Sequence, residues 1–377
     1  MLSSGAQTFC LFIAIRYFNA GQIIKSLIAA APFMGMFLSM LLLHYASATN
    51  WGKSTWGALP SLITGVCLLI AAWTTSMYLF AFFVITAYIC RSALLPFITD
   101  IYGDNYPSDH RAAFFSKSLL LSVGIAALSG FIGSSILEKD IEYYPLIFTF
   151  LGFCAFSKAV AIYCMPSKKV DKSPHENPFG NMKYAWQDRS FGYVLLTWFI
   201  MGFANLWTLP LRVDYVTSAQ WGIEGSAIFV AMIITVIPET MRMLLIPFWA
   251  RLFDKMNFVI LRMILNLSFA AGVLLFFISS NPWIIGAGSA LIGAAFAGGS
   301  IAWNLWVTKY APPGKTGAYM SVHVSLTGIR GTLGPMIGYW AIGLIGAQNI
   351  GILSCAMMIL ATLMLIPEIK HGGWKTA

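Results

Sequence analysis

Residues 165–189 read MPSKKVDKSPHENPFGNMKYAWQDR. Eight charged side chains fall in this stretch (Lys168, Lys169, Asp171, Lys172, Glu176, Lys183, Asp188 and Arg189), and only 29 are spread over the other 352 residues. Pro166, Pro174 and Pro178 each fix φ and remove an N–H donor, which argues against one continuous helix here. On either side the chain is almost entirely apolar. The stretch reads as a hydrophilic bridge between two hydrophobic halves. It sets the expected organisation: residues 1–164 as one bundle, 165–189 as a central loop, and 190–377 as a second bundle.

Composition says what solvent those halves meet. Hydrophobic residues make up 58% of the chain and charged ones 10%, with a mean hydropathy of +0.76, which no soluble globular domain shows. Runs of roughly 20 apolar residues, the length that crosses a bilayer core, recur throughout. They are continuous and do not alternate, so they predict helices and not barrel strands. The formal net charge of +9 forms no patch that would suit nucleic acid. The six cysteines lie singly in apolar segments without ligand spacing, as packing residues do. No phosphate loop, metal cluster or nucleophile–base pair is present, so no cofactor, no metal and no enzymatic activity are expected.

Taken in order, the chain predicts twelve spans. The first is short: about ten apolar residues precede Arg16, and neither a basic leader nor a cleavage site is present, so Met1 is expected to fall inside a truncated first helix. Spans two to six are predicted near 24–46, 55–75, 77–98, 111–136 and 144–164, with a polar loop at 99–110. Spans seven to twelve follow near 190–211, 225–250, 257–279, 282–308, 316–344 and 348–367.

Lys and Arg counts then orient the chain. With the bridge inside, fifteen fall in inside loops and the tail, and four (Arg16, Lys25, Lys139 and Arg212) in outside loops. That is the positive-inside pattern, with both termini cytoplasmic. A repeat links the halves. Residues 107–116, PSDHRAAFFS, align with residues 312–321, PPGKTGAYMS, at an offset of 205, and Gly133 falls opposite Gly338. Each copy opens the fifth span of its half.

With these features the chain resembles the major facilitator superfamily, whose loop after the second helix of each half reads roughly G-x-x-x-D-R-x-G-R-R/K. Residues 247–262 read PFWARLFDKMNFVILR, with Asp254 and Lys255 at the Asp-Arg positions, Ala250 in place of the glycine and Arg262 as the downstream base. In the first half Thr49 and Asn50 replace the charged pair, so that copy has lost its acid. The resemblance implies an all-α fold of two six-helix halves, cavity-lining helices one, four, seven and ten, and cytoplasmic latch residues. Arg111, Asp254, Lys255 and Arg262 are the latch candidates; ordinary helix-end charges reaching to water are the alternative.

Charges inside membrane helices are costly and need an account. Glu239 lies near the centre of the eighth span with Arg242 three residues on, so it either carries a proton or forms a permanent ion pair. Arg91 and Arg330 could hold an anionic substrate through the planar guanidinium fork, or bond backbone carbonyls at a disrupted helix. His323 is either a proton relay or a packed, hydrogen-bonded imidazole. Trp303, Asn304 and Trp306, with Asn205 and Trp207, mix amide and aromatic groups at membrane depth, as a small-molecule pocket does; an interfacial tryptophan belt is the alternative. Arg91 is followed by SALLP and not by the x-x-x-G of efflux proteins.

The expected function is therefore secondary active transport of a small solute across a bacterial inner membrane by a monomer, with H+ as a candidate coupling ion. A transporter-like sensor or partner protein is the alternative, and a membrane-embedded enzyme finds no polar cluster to support it.

Overall fold

The computed structural model describes residues 4–105, 108–170, 180–312 and 316–371. The chain divides into two compact units, Met1–Pro178 and Phe179–Ala377. The first holds α1 (Ser4–Arg16), α2 (Gln22–Ser47), α3 (Lys53–Trp73) and α4, which runs over Met77–Ala93 and continues as Leu95–Asn105. It closes with α5 (Ser108–Lys139) and α6 (Tyr144–Tyr163). The second begins with α7 (Arg189–Thr217). Next comes α8, which starts as Ala227–Ala231, passes through a π-helical turn at Met232–Val236 and continues as Ile237–Lys255. Then follow α9 (Phe258–Ile278) and α10 (Pro282–Leu305, extended by Val307–Tyr310). One helical run, Thr316–Met364, holds the last two helices: α11 over 316–345 and α12 over 347–364, parted at Gly346. Among the described residues there is no strand, only an isolated bridge between Gly52 and Lys169.

Local chemistry starts and stops these helices. Side chains of Asp188, Ser226, Asn257 and Asn281 accept backbone N–H bonds at the starts of α7, α8, α9 and α10, satisfying donors the first turn leaves unpaired. At Gly346 the backbone takes φ 78° and ψ 166°, a conformation essentially confined to glycine, and there the long run folds back.

Apolar faces are turned outward. Along α3, Leu59, Leu62, Ile63, Val66 and Ile70 are exposed while Thr64, Gly65, Leu68, Ala71 and Ala72 are buried. Hydrocarbon solvates such an outer face, and small residues let the inner one pack closely. Ten described helical stretches are long and apolar enough to cross a membrane, and the last, Tyr319–Lys370, contains both α11 and α12. With 13 residues, α1 reaches about 20 Å, short of a bilayer core.

Each unit pairs its helices in the same way. In the first, α2 packs on α4, α3 on both α4 and α6, and α1 on α5. In the second, α8 packs on α10, α9 on α10 and on the run holding α12, and α7 on the run holding α11. The sequence repeat is carried into this packing. A Cβ at Gly133 of α5 would lie 2.7 Å from the Phe9 ring of α1, and one at Gly338 of α11 would strike the Trp207 carbonyl of α7.

Two expectations are corrected. Residues 99–105, expected as a polar loop, are helical: 95–105 forms one helix in spite of Gly103, and a proline at the second position suits its start. Arg212, counted in an outside loop, is buried inside α7, which runs six residues beyond its expected end at 211. Pro210 did not stop the helix.

Candidate functional site

In the second unit α7, α9, α10 and α11 bring a set of aromatic and cationic side chains together. Trp198 of α7 is the hub. Its indole stacks on Trp306 at 5.4 Å between centroids, and Trp306 stacks in turn on Phe191 at 5.4 Å. Phe191 meets Tyr319 at 4.5 Å, and Tyr319 stacks on Tyr184 at 5.0 Å. A continuous column of rings thus runs from partly exposed Tyr184 to buried Trp198. At its inner end the Arg262 guanidinium lies 3.5 Å from the Trp198 ring centroid, a cation–π contact, and Arg262 Nη2 donates to Met201 Sδ at 2.9 Å.

Arg330 enters from α11. Its Nη1 donates to the Trp198 carbonyl and its Nη2 to Thr327 Oγ1 at 3.0 Å. The entry depends on Gly202 of α7, since a Cβ there would occupy the position of the guanidinium itself. His323, one to two turns earlier on α11, packs against three indoles, Trp198, Trp303 and Trp306, each at 5.2 Å. All of these except Trp303 are buried, Arg262 at 3%, Arg330 at 4% and His323 at 1% relative exposure.

Glu239 stands apart, on α8, just beyond the π-helical turn and Pro238. Arg242 Nη1 approaches its Oε2 at 3.5 Å, so the expected i,i+3 pairing is present. The π-turn is braced by Ser289 of α10, whose hydroxyl donates to the Ile233 carbonyl. Gly293 of α10 lies directly against Pro238, with no space for a Cβ. Such turns recur where function displaces a helix from regular geometry. Arg330 makes no ion pair with Glu239; its bonds go to α7 and to its own helix.

The other expected residues are scattered. Arg91 of α4 reaches the Tyr88 ring at 5.6 Å, and Tyr88 Oη lies 3.4 Å from Cys10 Sγ on α1. Asn205 of α7 is buried with its Oδ1 unpaired. Lys255 ends α8 and is exposed. The side chains of Arg111, Asp254 and Asn304 lie outside the described residues. Arg262 is not at a loop surface, where a latch was expected. With α9 capped at Asn257, residue 262 falls inside the helix and its guanidinium turns onto Trp198.

The first unit carries a polar clasp that the sequence did not reveal. Lys53 Nζ donates to Asp104 Oδ2 at 3.1 Å and lies 4.0 Å from Asp100, both acids on the extension of α4. Its backbone N–H donates to the Lys168 carbonyl, Ser54 and Ser167 bond through their hydroxyls at 2.9 Å, and Asn105 reaches the Pro166 carbonyl. Burial alone would raise the Asp104 carboxyl, but hydrogen bonding and charge from Lys53, with Lys168, hold it below the usual carboxylate range. The acid missing from the first loop motif thus has a counterpart on α4. An i,i+4 pair of acids, Asp100 and Asp104, beside a lone loop lysine was the available signal.

Twelve helices among the described residues, in two similarly paired units that are apolar outside and enclose charged groups, define a polytopic helical membrane protein of transporter type. The chain belongs to the Major Facilitator Superfamily, whose profile matches residues 1–322 and 218–377. Among solved structures it is similar to a POT family transporter in complex with 5-aminolevulinic acid, at 14% identity and TM-score 0.72 over 97% of this chain and 93% of that one. It is also similar to a D-xylose-proton symporter (15% identity, TM-score 0.69, 96% and 94% covered) and to the nucleoside transporter NupG (13%, 0.66, 97% and 97%). No curated protein sequence matches the chain.

Proposed function

We propose that this protein is a secondary active transporter that moves a small solute by alternating access between its two bundles, acting as a monomer in a bacterial inner membrane. The observation that carries the reading is the buried, charge-bearing interior of the second unit, built on a superfamily fold whose solved relatives include sugar, nucleoside and peptide-type transporters. Purely structural helices gain nothing from enclosing Arg262, Arg330 and Glu239 in a membrane, where each charge is costly. The short chain segments between helices and the absence of a nucleotide loop fit transport driven by a gradient.

The excess of Lys and Arg in loops of one parity supports a cytoplasmic bridge and cytoplasmic termini, and it survives the reassignment of Arg212 and Arg262 to helix interiors. In this frame the Lys53 clasp and the outer end of the ring column both lie on the cytoplasmic side. Glu239 and Arg242 form the ion pair of α8, beside the π-turn where that helix is set to bend.

Counterflow in proteoliposomes tests the proposal. Vesicles loaded with unlabelled solute should draw in the labelled form above protein-free controls for at least one of a sugar, a nucleoside, a dipeptide and a carboxylate. Failure with all four classes, in protein shown to be folded, would overturn it.

A further inference from the structure

The interior of the second unit holds a cluster that donates hydrogen bonds and accepts almost none. Arg330 Nε, Trp198 Nε1 and Trp306 Nε1 are buried with no protein acceptor, and His323 Nε2 is unpaired beside them. Arg262 uses one donor on a thioether, a weak acceptor, and turns its face to an indole. Guanidinium and indole groups can only donate. Both guanidinium groups lie against the same residue, Arg262 on the Trp198 ring and Arg330 on the Trp198 carbonyl.

No described carboxylate of the unit offsets them. Asp188 receives the Tyr319 hydroxyl and the Phe191 N–H; Asp214 receives Ser218, Gln220 and Trp221; Glu224 is exposed; Glu239 faces Arg242; Glu368 receives Ser190. Two buried cations on one tryptophan residue, walled by rings, are an unfavourable arrangement unless an anion joins them. An oxyanion is the kind of group that accepts from such unused donors. Guanidinium forks suit its paired oxygens, and the indole N–H groups would take the remaining lone pairs.

We propose that Arg262 and Arg330, with the indole N–H groups of Trp198 and Trp306, bind the carboxylate or phosphate of a small organic anion, and that this anion is the transported solute. The proposal rests on the transporter reading and names its substrate class. Trp303 and His323 then flank the body of the solute, favouring a flat or apolar one. Gly202 keeps the Arg330 fork in place.

Calorimetric titration of the full chain in phosphatidylcholine nanodiscs tests it, with benzoate, inorganic phosphate and neutral glucose as probes. Saturable binding of benzoate or phosphate, and none of glucose, is expected. R262Q should weaken that binding at least tenfold. W306F removes one donor but keeps the ring stack, so it should fold normally and weaken binding severalfold. No anion binding to folded wild type, or equal affinity in both variants, overturns the site. Anion binding abolished when phosphatidylglycerol replaces phosphatidylcholine assigns the cluster to a lipid headgroup and overturns the solute assignment. Counterflow on the same preparation separates the two claims. Anion binding without flux defeats the transport reading alone, and glucose flux without anion binding defeats this one alone.

Discussion

Gly202 and Arg330 show how one missing side chain makes room for a charge. The guanidinium crosses to the Trp198 carbonyl only because α7 has no Cβ at that point. Gly202→Ala should therefore displace Arg330 from α7, and the variant should lose most solute flux while staying in the membrane; unchanged flux would show that Arg330 is not held there for function. Uncoupling a buried cation from its acceptor costs about 1–3 kcal/mol, so a lowered Tm should accompany the loss. Glu239 gives a second prediction at this scale. Glu239→Gln removes the charge opposite Arg242, 3.5 Å away, and should lower stability by about 1–3 kcal/mol. Solute flux measured with and without an imposed pH gradient then separates two roles. Gradient-driven flux that survives makes the pair structural, whereas flux that persists only as exchange makes Glu239 the proton carrier.

At the scale of elements, positive φ at Gly346 lets one helical run become two. Gly346→Ala places a Cβ in a strained backbone region though nothing crowds it, and should cost about 1–3 kcal/mol, read as a fall in Tm. The Lys53 clasp makes a pH prediction. Because the folded Asp104 carboxyl is held below its unfolded value, the stability it adds is present above the unfolded pKa and lost as pH falls through the folded one. The Tm difference between wild type and Asp104→Asn should thus be full at neutral pH and shrink below about pH 4. Most elements were legible in the sequence, since twenty-residue apolar runs and Asn, Ser or Asp caps mark their ends directly. The misread ends, residues 99–105 and 212–217, are where polar residues stay helical because packing, not composition, decides. The site was less legible. Arg330, His323 and Trp303 could be singled out as unusual at depth, but Trp198 looked like any membrane tryptophan, and Arg262 sat in a loop motif. Their meeting depends on the rotation of four helices about their axes, which periodicity does not reveal.

At the scale of the whole molecule, the offset of 205 that aligns PSDHRAAFFS with PPGKTGAYMS reappears as equivalent helix pairs in both units, α1 with α5 and α7 with α11 among them. Parallel duplicated halves of this kind are how one fold places a pathway between bundles. Orientation is testable with a native thiol. Cys164 is exposed at the end of α6, next to the bridge, so an impermeant maleimide should label it in inverted membrane vesicles and not in intact cells. The reverse pattern would turn the molecule over. Transport itself is the central claim, and counterflow tests it most directly. Labelled carboxylate should accumulate transiently in proteoliposomes preloaded with its unlabelled form, and Gly202→Ala should remove most of that overshoot. A folded, correctly inserted protein that produces no overshoot with carboxylate, sugar, nucleoside or dipeptide would contradict the account.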